Sequence, residues 1–282
     1  MNKRWLCFWK YVMLLTKDKL FSSRMLIAVL VLAIFHDSGI KELAEFGAEF
    51  DLGVSPFLLS FLFGKLTFCI IFGFCVMYVF SGTPYMNSRE LYFIARAGRK
   101  KWCMAQQISI FLASIGFVII NFLIDIIRLF PHVSFEDNWD RISFTVAYGT
   151  MGQNTAVLDI SVMDKYSPYE LAIYSFVIGV LVVNLIGQLM YAVSLITNRT
   201  VAVLLGGIIA IMPIIARSTA RMYSLVYFLS PISWISRTRD LWAIKLPDEK
   251  FMCIAAILVW FVCAVMSLIR VNVVEFEWRE EE

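Results

Sequence analysis

Three charged side chains fall inside long apolar runs of this sequence: Lys65, Asp125 and Arg128. A charge held in hydrocarbon is expensive and as a rule faces a cavity or a partner, so these three are the first candidates for intramembrane chemistry. Asp125 and Arg128 are spaced i, i+3 near the end of their run, where they would pair with each other while Arg128 reaches the headgroups. Lys65 is deeper, about nine residues or roughly 13 Å from the outer end of its run, and a Lys65–Asp125 pair between two spans is the alternative. Asn121, Asn184 and Gln188 read as groups that knit helices together.

The chemistry that is missing is as informative. His36 and His132 are the only histidines, each alone near a span boundary, and the six cysteines offer no C-x-x-C spacing, so no metal site is expected. The cysteines lie in apolar runs or basic flanks, which argues against disulfides. There is no G-x-S-x-G, no H-E-x-x-H and no phosphate loop G-x-x-x-x-G-K-[ST]. An intramembrane hydrolase needs paired carboxylates, clustered histidines or a serine with a base, and apart from Asp37 beside His36 at a rim the spans supply only Asp125. No catalytic residue is assigned, and the chain is read as a non-enzyme.

The elements that must position these residues are membrane spans. The 282 residues are 60% hydrophobic and only 17% charged, with a mean hydropathy of +0.75, outside the soluble range. Runs long enough to cross a bilayer fall at about 22–40, 56–80, 106–130, 171–196, 201–215 and 251–269, which predicts an all-α polytopic membrane protein of about six spans and one transmembrane domain, 1–282. No secretory signal precedes them, so the mature chain is expected to begin at Met1. In residues 1–20, Trp5, Phe8, Trp9, Val12 and Leu15 recur at helical spacing opposite Lys3, Lys10 and Lys17, the pattern of an interfacial helix lying on lipid.

Basic residues crowd the start of the chain and the loop after the second span, whereas the loops 41–55 and 131–168 are acidic. The positive-inside rule therefore predicts both termini in the cytoplasm of a multi-pass cell-membrane protein. One segment disagrees: 217–250, expected outside, carries Arg217, Arg221, Arg237, Arg239, Lys245 and Lys250. Broken at Ser230 and Pro231, it is expected to dip back into the protein as a re-entrant segment.

The loop YMNSRELYFIARAGRKKWCMAQ mixes charged and apolar residues at helical spacing between two strong spans. It predicts either a solvated interfacial helix or a docking helix for a cytoplasmic partner. With the amphipathic start, the six spans and the broken LSPISW segment, the phrase LYFIARAGRKKW resembles ATP-binding-cassette exporter permeases of the type 2 class, in a group from Gram-positive bacteria. That resemblance implies a permease subunit paired with a second permease copy, identical or different, and driven by separate cytoplasmic ATPase subunits that hold the ATP and magnesium. No cofactor is then expected in this chain, and lipids rather than nucleic acid are its other partners. It also implies a coupling helix within 85–101, contacting the ATPase through Arg89, Glu90, Arg96 and Arg99, and a second contact at the turn holding Asn198 and Arg199. Peptide export, or protection against antimicrobial peptides, is the favoured cargo reading. The alternative is a channel or signalling sensor with no ATPase.

Overall fold

The computed structural model describes residues 3–84, 88–149, 158–219, 225–237 and 247–273, without the side chains of Lys3, Arg4, Ser88 and Arg89. These residues form twelve helices and one 3-10 turn, with a single isolated bridge, Val54 to Val133, in place of any strand. The chain is an all-α polytopic membrane protein. Five of its helices are long and apolar enough to cross a bilayer: α2 (Ser23–Phe50), α6 (Arg99–Leu129), α9 (Pro168–Ile196), α10 (Arg199–Thr219) and α12 (Glu249–Arg270). A sixth apolar helix, α4 (Leu66–Phe80), is shorter.

The amphipathic α1 (Lys3–Leu20) precedes them. Its Tyr11, Val12, Leu15 and Lys19 are buried, whereas Trp5, Trp9 and Met13 form an exposed apolar stripe along a second face. Ser22, accepting from the Met25 N–H at 3.2 Å, caps the start of α2 and marks the turn from the first helix into the first span.

Two expectations need correction. The segment 41–55 was expected as an acidic loop, but α2 continues helical to Phe50. Met25, Ala28, Leu32, His36, Ile40, Leu43 and Gly47 make one uninterrupted buried stripe at intervals of three and four, so apolar periodicity carries the helix through Lys41, Glu42, Glu45 and Glu49. The second span, expected as a single run over 56–80, is two pieces. The helical turn α3 (Leu59–Leu62) ends at Phe63, and α4 starts only after an extended Lys65.

The remaining spans match the apolar runs to within a few residues, apart from the basic start, about two turns long, that α6 adds before Gln106. The helix α9 is the most buried of the spans and packs against α4, α6, α10 and α12. The helices α4 and α10 approach closely. A Cβ on Gly73 would stand 2.9 Å from the Cα of Ala210 and 2.6 Å from Cδ1 of Ile232, so that contact requires glycine. Opposite faces of α2, α6 and α12 expose Leu30, Ile34, Leu123, Ile127, Ile257 and Phe261, as lipid-facing surfaces do.

Contacts between helix ends sort the bundle into two faces. The side chain of Arg199, at the start of α10, donates to the Ser81 carbonyl at 2.6 Å just past α4, and Arg99, at the start of α6, donates to the Asn272 carbonyl at 3.0 Å just past α12. These ends, with α1 and the start of α2, define the proximal face. The distal face holds the Val54–Val133 bridge, α7 (Arg141–Ala147), α8 (Ile160–Met163), α11 (Leu225–Phe228) and the 3-10 turn Pro231–Ile235.

Candidate functional site

On the proximal face, α5 (Ser88–Ala97) is the strongly amphipathic helix between α4 and α6. Gly98 follows with φ 91, a conformation that L side chains rarely adopt, and lets the chain turn directly into α6. The outward side of α5 presents Tyr92, Ala95 and Arg96, the last donating to Tyr92 Oη at 3.2 Å.

The inward side is a polar knot. Glu90, 3% exposed, accepts through Oε2 from Trp102 Nε1 at 3.1 Å and from Gln106 Nε2 at 2.9 Å. The other atom of that Gln106 amide, Oε1, accepts from Lys19 Nζ at 2.9 Å, and Lys19 also donates to Ser109 Oγ at 2.6 Å. Gln106 thus bridges a buried cation on α1 and a buried carboxyl on α5. Burial pushes the Glu90 carboxyl up to about 7, against the pull of Lys19 and of the Trp102 and Gln106 donors. Burial likewise pushes the Lys19 ammonium down to about 8, against the opposing charges of Glu90 and Asp18. Tyr11 of α1 stacks on Phe93 of α5, ring centres 3.6 Å apart, and clamps the two helices a second time.

The residues expected to make the coupling contact differ in their surroundings. Glu90 is buried and bonded to Trp102 and Gln106 inside the chain. Arg99 spends donors on the Val271 and Asn272 carbonyls at the end of α12. Arg96 remains exposed, while the Arg89 side chain lies outside the described residues. Asn198 is exposed and caps α10 by accepting from the Val201 N–H at 2.9 Å, and its neighbour Arg199 ties that turn to the end of α4.

Between the middle of α2 and the distal end of α6 the intramembrane charges pair in a way that sequence spacing did not show. Asp125 meets neither Arg128 nor Lys65; its Oδ1 contacts His36 Nδ1. Arg128 instead pairs with Asp37. His36 and Asp125 are both 0% exposed. Asn121 Oδ1 is 3.2 Å from His36 Nε2, and the Phe68 ring stands edge-on to the imidazole at 5.0 Å. Asp125 Oδ2 is buried with no hydrogen-bond partner. Lys65, half-buried, occupies the N-cap of α4. Two parallel helices therefore exchange two adjacent pairs, 36 with 125 and 37 with 128. The polar residues on facing stripes were visible beforehand; which met which was not.

The basic distal segment has internal uses too. Arg217, at the end of α10, donates to the Gly64 carbonyl at 2.7 Å and the Phe63 carbonyl at 3.0 Å, the backbone acceptors left open where α3 breaks from α4. Arg237 bonds Glu249 at 2.5 Å, and its guanidinium lies 4.3 Å from the centre of the Tyr174 ring. Below that pair an open groove of about 540 Å³ runs between α9 and α12, lined by Tyr166, Glu170, Val177 and Cys253 among others. Pro231–Ile235, from the segment expected to re-enter, is buried against α4, α9 and α10. Arg221, Arg239 and Lys245 lie outside the described residues.

Compared with models of known protein families, with curated proteins and with solved structures, the chain matches none of them.

Proposed function

We propose that this chain is the membrane-spanning permease subunit of an ATP-driven exporter, powered by a separate ATPase subunit that docks on the proximal face. The observation that carries this reading is the mounting of α5. A short helix with an exposed aromatic and arginine edge is fastened on its other side to both α1 and α6. Force applied to α5 is therefore delivered into a span and into the interfacial helix together, which is what a coupling helix must do.

The turn at 198–200 supports the same reading, since Arg199 joins it to the end of α4, close to where the α5 loop begins. A partner seated across both would bridge α4, α6, α9 and α10. Closure of an ATPase pair would then bias the bundle between two states through differential contacts. In this reading the proximal face is cytoplasmic, ATP and magnesium belong to the partner, and a second permease copy completes the path. Peptides, including antimicrobial ones, are the proposed cargo.

The test is purification of the tagged chain from its native membrane in mild detergent, followed by mass spectrometry of what stays bound. A phosphate-loop-bearing subunit at near-equal stoichiometry, lost from an Arg96→Glu variant that still folds, is the expected result. Recovery of the chain without such a subunit, or unchanged transport in Arg96→Glu, would overturn the proposal and favour a channel or sensor.

A further inference from the structure

The groove between α9 and α12 changes character along its length. Its charged lining, Lys165, Glu170 and Glu249, is at the distal end: Lys165 just before α9 begins, Glu170 in the first turn of α9 and Glu249 as the first residue of α12. Further along the same helices Ile173, Val177 and Cys253 give an apolar floor, with Val177 roughly 10 Å beyond Glu170 on one stripe of α9. The Tyr166 and Tyr174 rings line the stretch between, the place amphipathic rings take at a membrane boundary. Both helices are long and apolar enough to span, so the charged end of the groove meets headgroups and the floor meets hydrocarbon.

The charged end is held in place from behind. Tyr174 Oη donates to the Trp234 carbonyl at 2.7 Å, and Arg237 covers that ring while bonding Glu249 Oε1. Glu170 spends Oε2 on the Ser167 N–H of its own helix cap. Each carboxylate thus keeps a second oxygen for another donor. Lys165 Nζ stands over the Tyr166 ring, 5.2 Å from its centre, and makes no hydrogen bond or ion pair among the described residues.

These groups select their occupant by charge. A soluble anion would use Lys165 and face two carboxylates, a soluble cation would use the carboxylates and face Lys165, and neither would need the floor. An amphiphile with a phosphate, a primary ammonium and an acyl chain uses all three.

We propose that this groove is a binding site for one amine-bearing phospholipid of the phosphatidylethanolamine kind. Its phosphate takes Lys165, its ammonium donates to the open oxygens of Glu170 and Glu249, and one acyl chain lies along Val177 and Cys253. The volume of about 540 Å³ is of the size that bound small molecules occupy. Seated there, the lipid joins the first turns of α9 and α12 on their outer side, as the Arg237–Glu249 bond does from behind. The inference does not rest on the exporter reading, since such a lipid would serve a channel or sensor equally well.

The test is native mass spectrometry of the full chain, stripped of lipid in mild detergent and titrated with phosphatidylethanolamine, phosphatidylglycerol and glycerophosphoethanolamine. One phosphatidylethanolamine is expected to bind about tenfold more tightly than phosphatidylglycerol, which lacks the ammonium. Glycerophosphoethanolamine, the same headgroup without chains, is expected not to compete. Lys165→Glu reverses the charge that meets the phosphate and Val177→Trp fills the floor, and each should weaken binding by about tenfold or more. Both side chains are exposed, so each variant should melt as the wild type does in lipid-free detergent. Equal affinity for the two phospholipids would mean an unselective lipid coat, and competition by glycerophosphoethanolamine would mean a soluble ligand. Undiminished binding in either variant would put the lipid elsewhere, and any of these three results overturns the proposal.

Discussion

Replacing Glu90 with Gln tests whether the proximal knot is held together by a carboxyl that resists ionisation. The substitution keeps the shape and an acceptor oxygen for Trp102 and Gln106 but cannot take a charge. Glu90 in the docked state has its pKa raised from the ordinary 4.5 to about 7. Docked protein therefore binds more protons than undocked protein between those values, so docking is strongest below pH 4.5 and weakens as pH climbs to about 7. The rise corresponds to about 3 kcal/mol, or at least about a hundredfold in the opening equilibrium. Lys19, lowered to about 8, acts at the other end of the scale: its contribution is present above its ordinary 10.5 and is lost as pH falls through 8. The assay is hydrogen exchange of the α5 amides in nanodiscs, taken as the ratio of wild type to Glu90→Gln at each pH, which cancels the intrinsic chemistry of exchange. Wild-type opening should gain on the variant by about two orders of magnitude from pH 4.5 to 7 and then level off. A flat ratio would refute the argument that burial governs this carboxyl.

Three further outcomes are expected. Arg217→Ala leaves the Gly64 and Phe63 carbonyls without their charged donor and should lower stability by about 2 kcal/mol, with Lys at that position recovering only part of it because a single ammonium lacks the guanidinium fork; equal melting temperatures for all three would count against it. Gly73→Val forces a side chain into the backbone of α10 and should destabilise by at least about 1–3 kcal/mol, read from the thermal melt. Maleimide labelling of the folded protein should modify exposed Cys7 and spare Cys69 and Cys103, both 0% exposed; fast labelling of either buried thiol would contradict the packing of α4 and α6.

Apolar runs located the spans because hydropathy is a local property. The boundaries of α9, α10 and α12 could be read from their own residues, and the interfacial character of α1 from its aromatic and lysine spacing. The distal end of α2 escaped because Lys41, Glu42, Glu45 and Glu49 looked like a loop, although Ile40, Leu43 and Gly47 continued the stripe begun at Met25. The break at Gly64 and Lys65 escaped for the opposite reason: the run there stays apolar while the backbone turns, and the carbonyls it leaves open find Arg217 over 150 residues away. The candidate sites were legible as residue types but not as pairs. Asp125 was singled out, yet its partner lies 89 residues earlier on another helix. Glu90 was read as an outward charge because helical periodicity gives a face its direction only once the neighbouring helix is known.

The use that the fold makes of Arg217 and Arg237 bears on how the chain is built into its bilayer. A nascent loop as basic as 217–250 tends to stay on the side of synthesis. The acceptors for Arg217 belong to the break before α4, and those for Arg237 to α9 and α12. If the distal face points outward, translocation of this loop is uphill until the break before α4 and Tyr174 of α9 stand beside the insertion machinery to receive its charges, with Glu249 arriving on α12 itself. The last two spans then enter as a late, cooperative unit, and biogenesis of the carboxy-terminal third depends on the assembled amino-terminal two thirds.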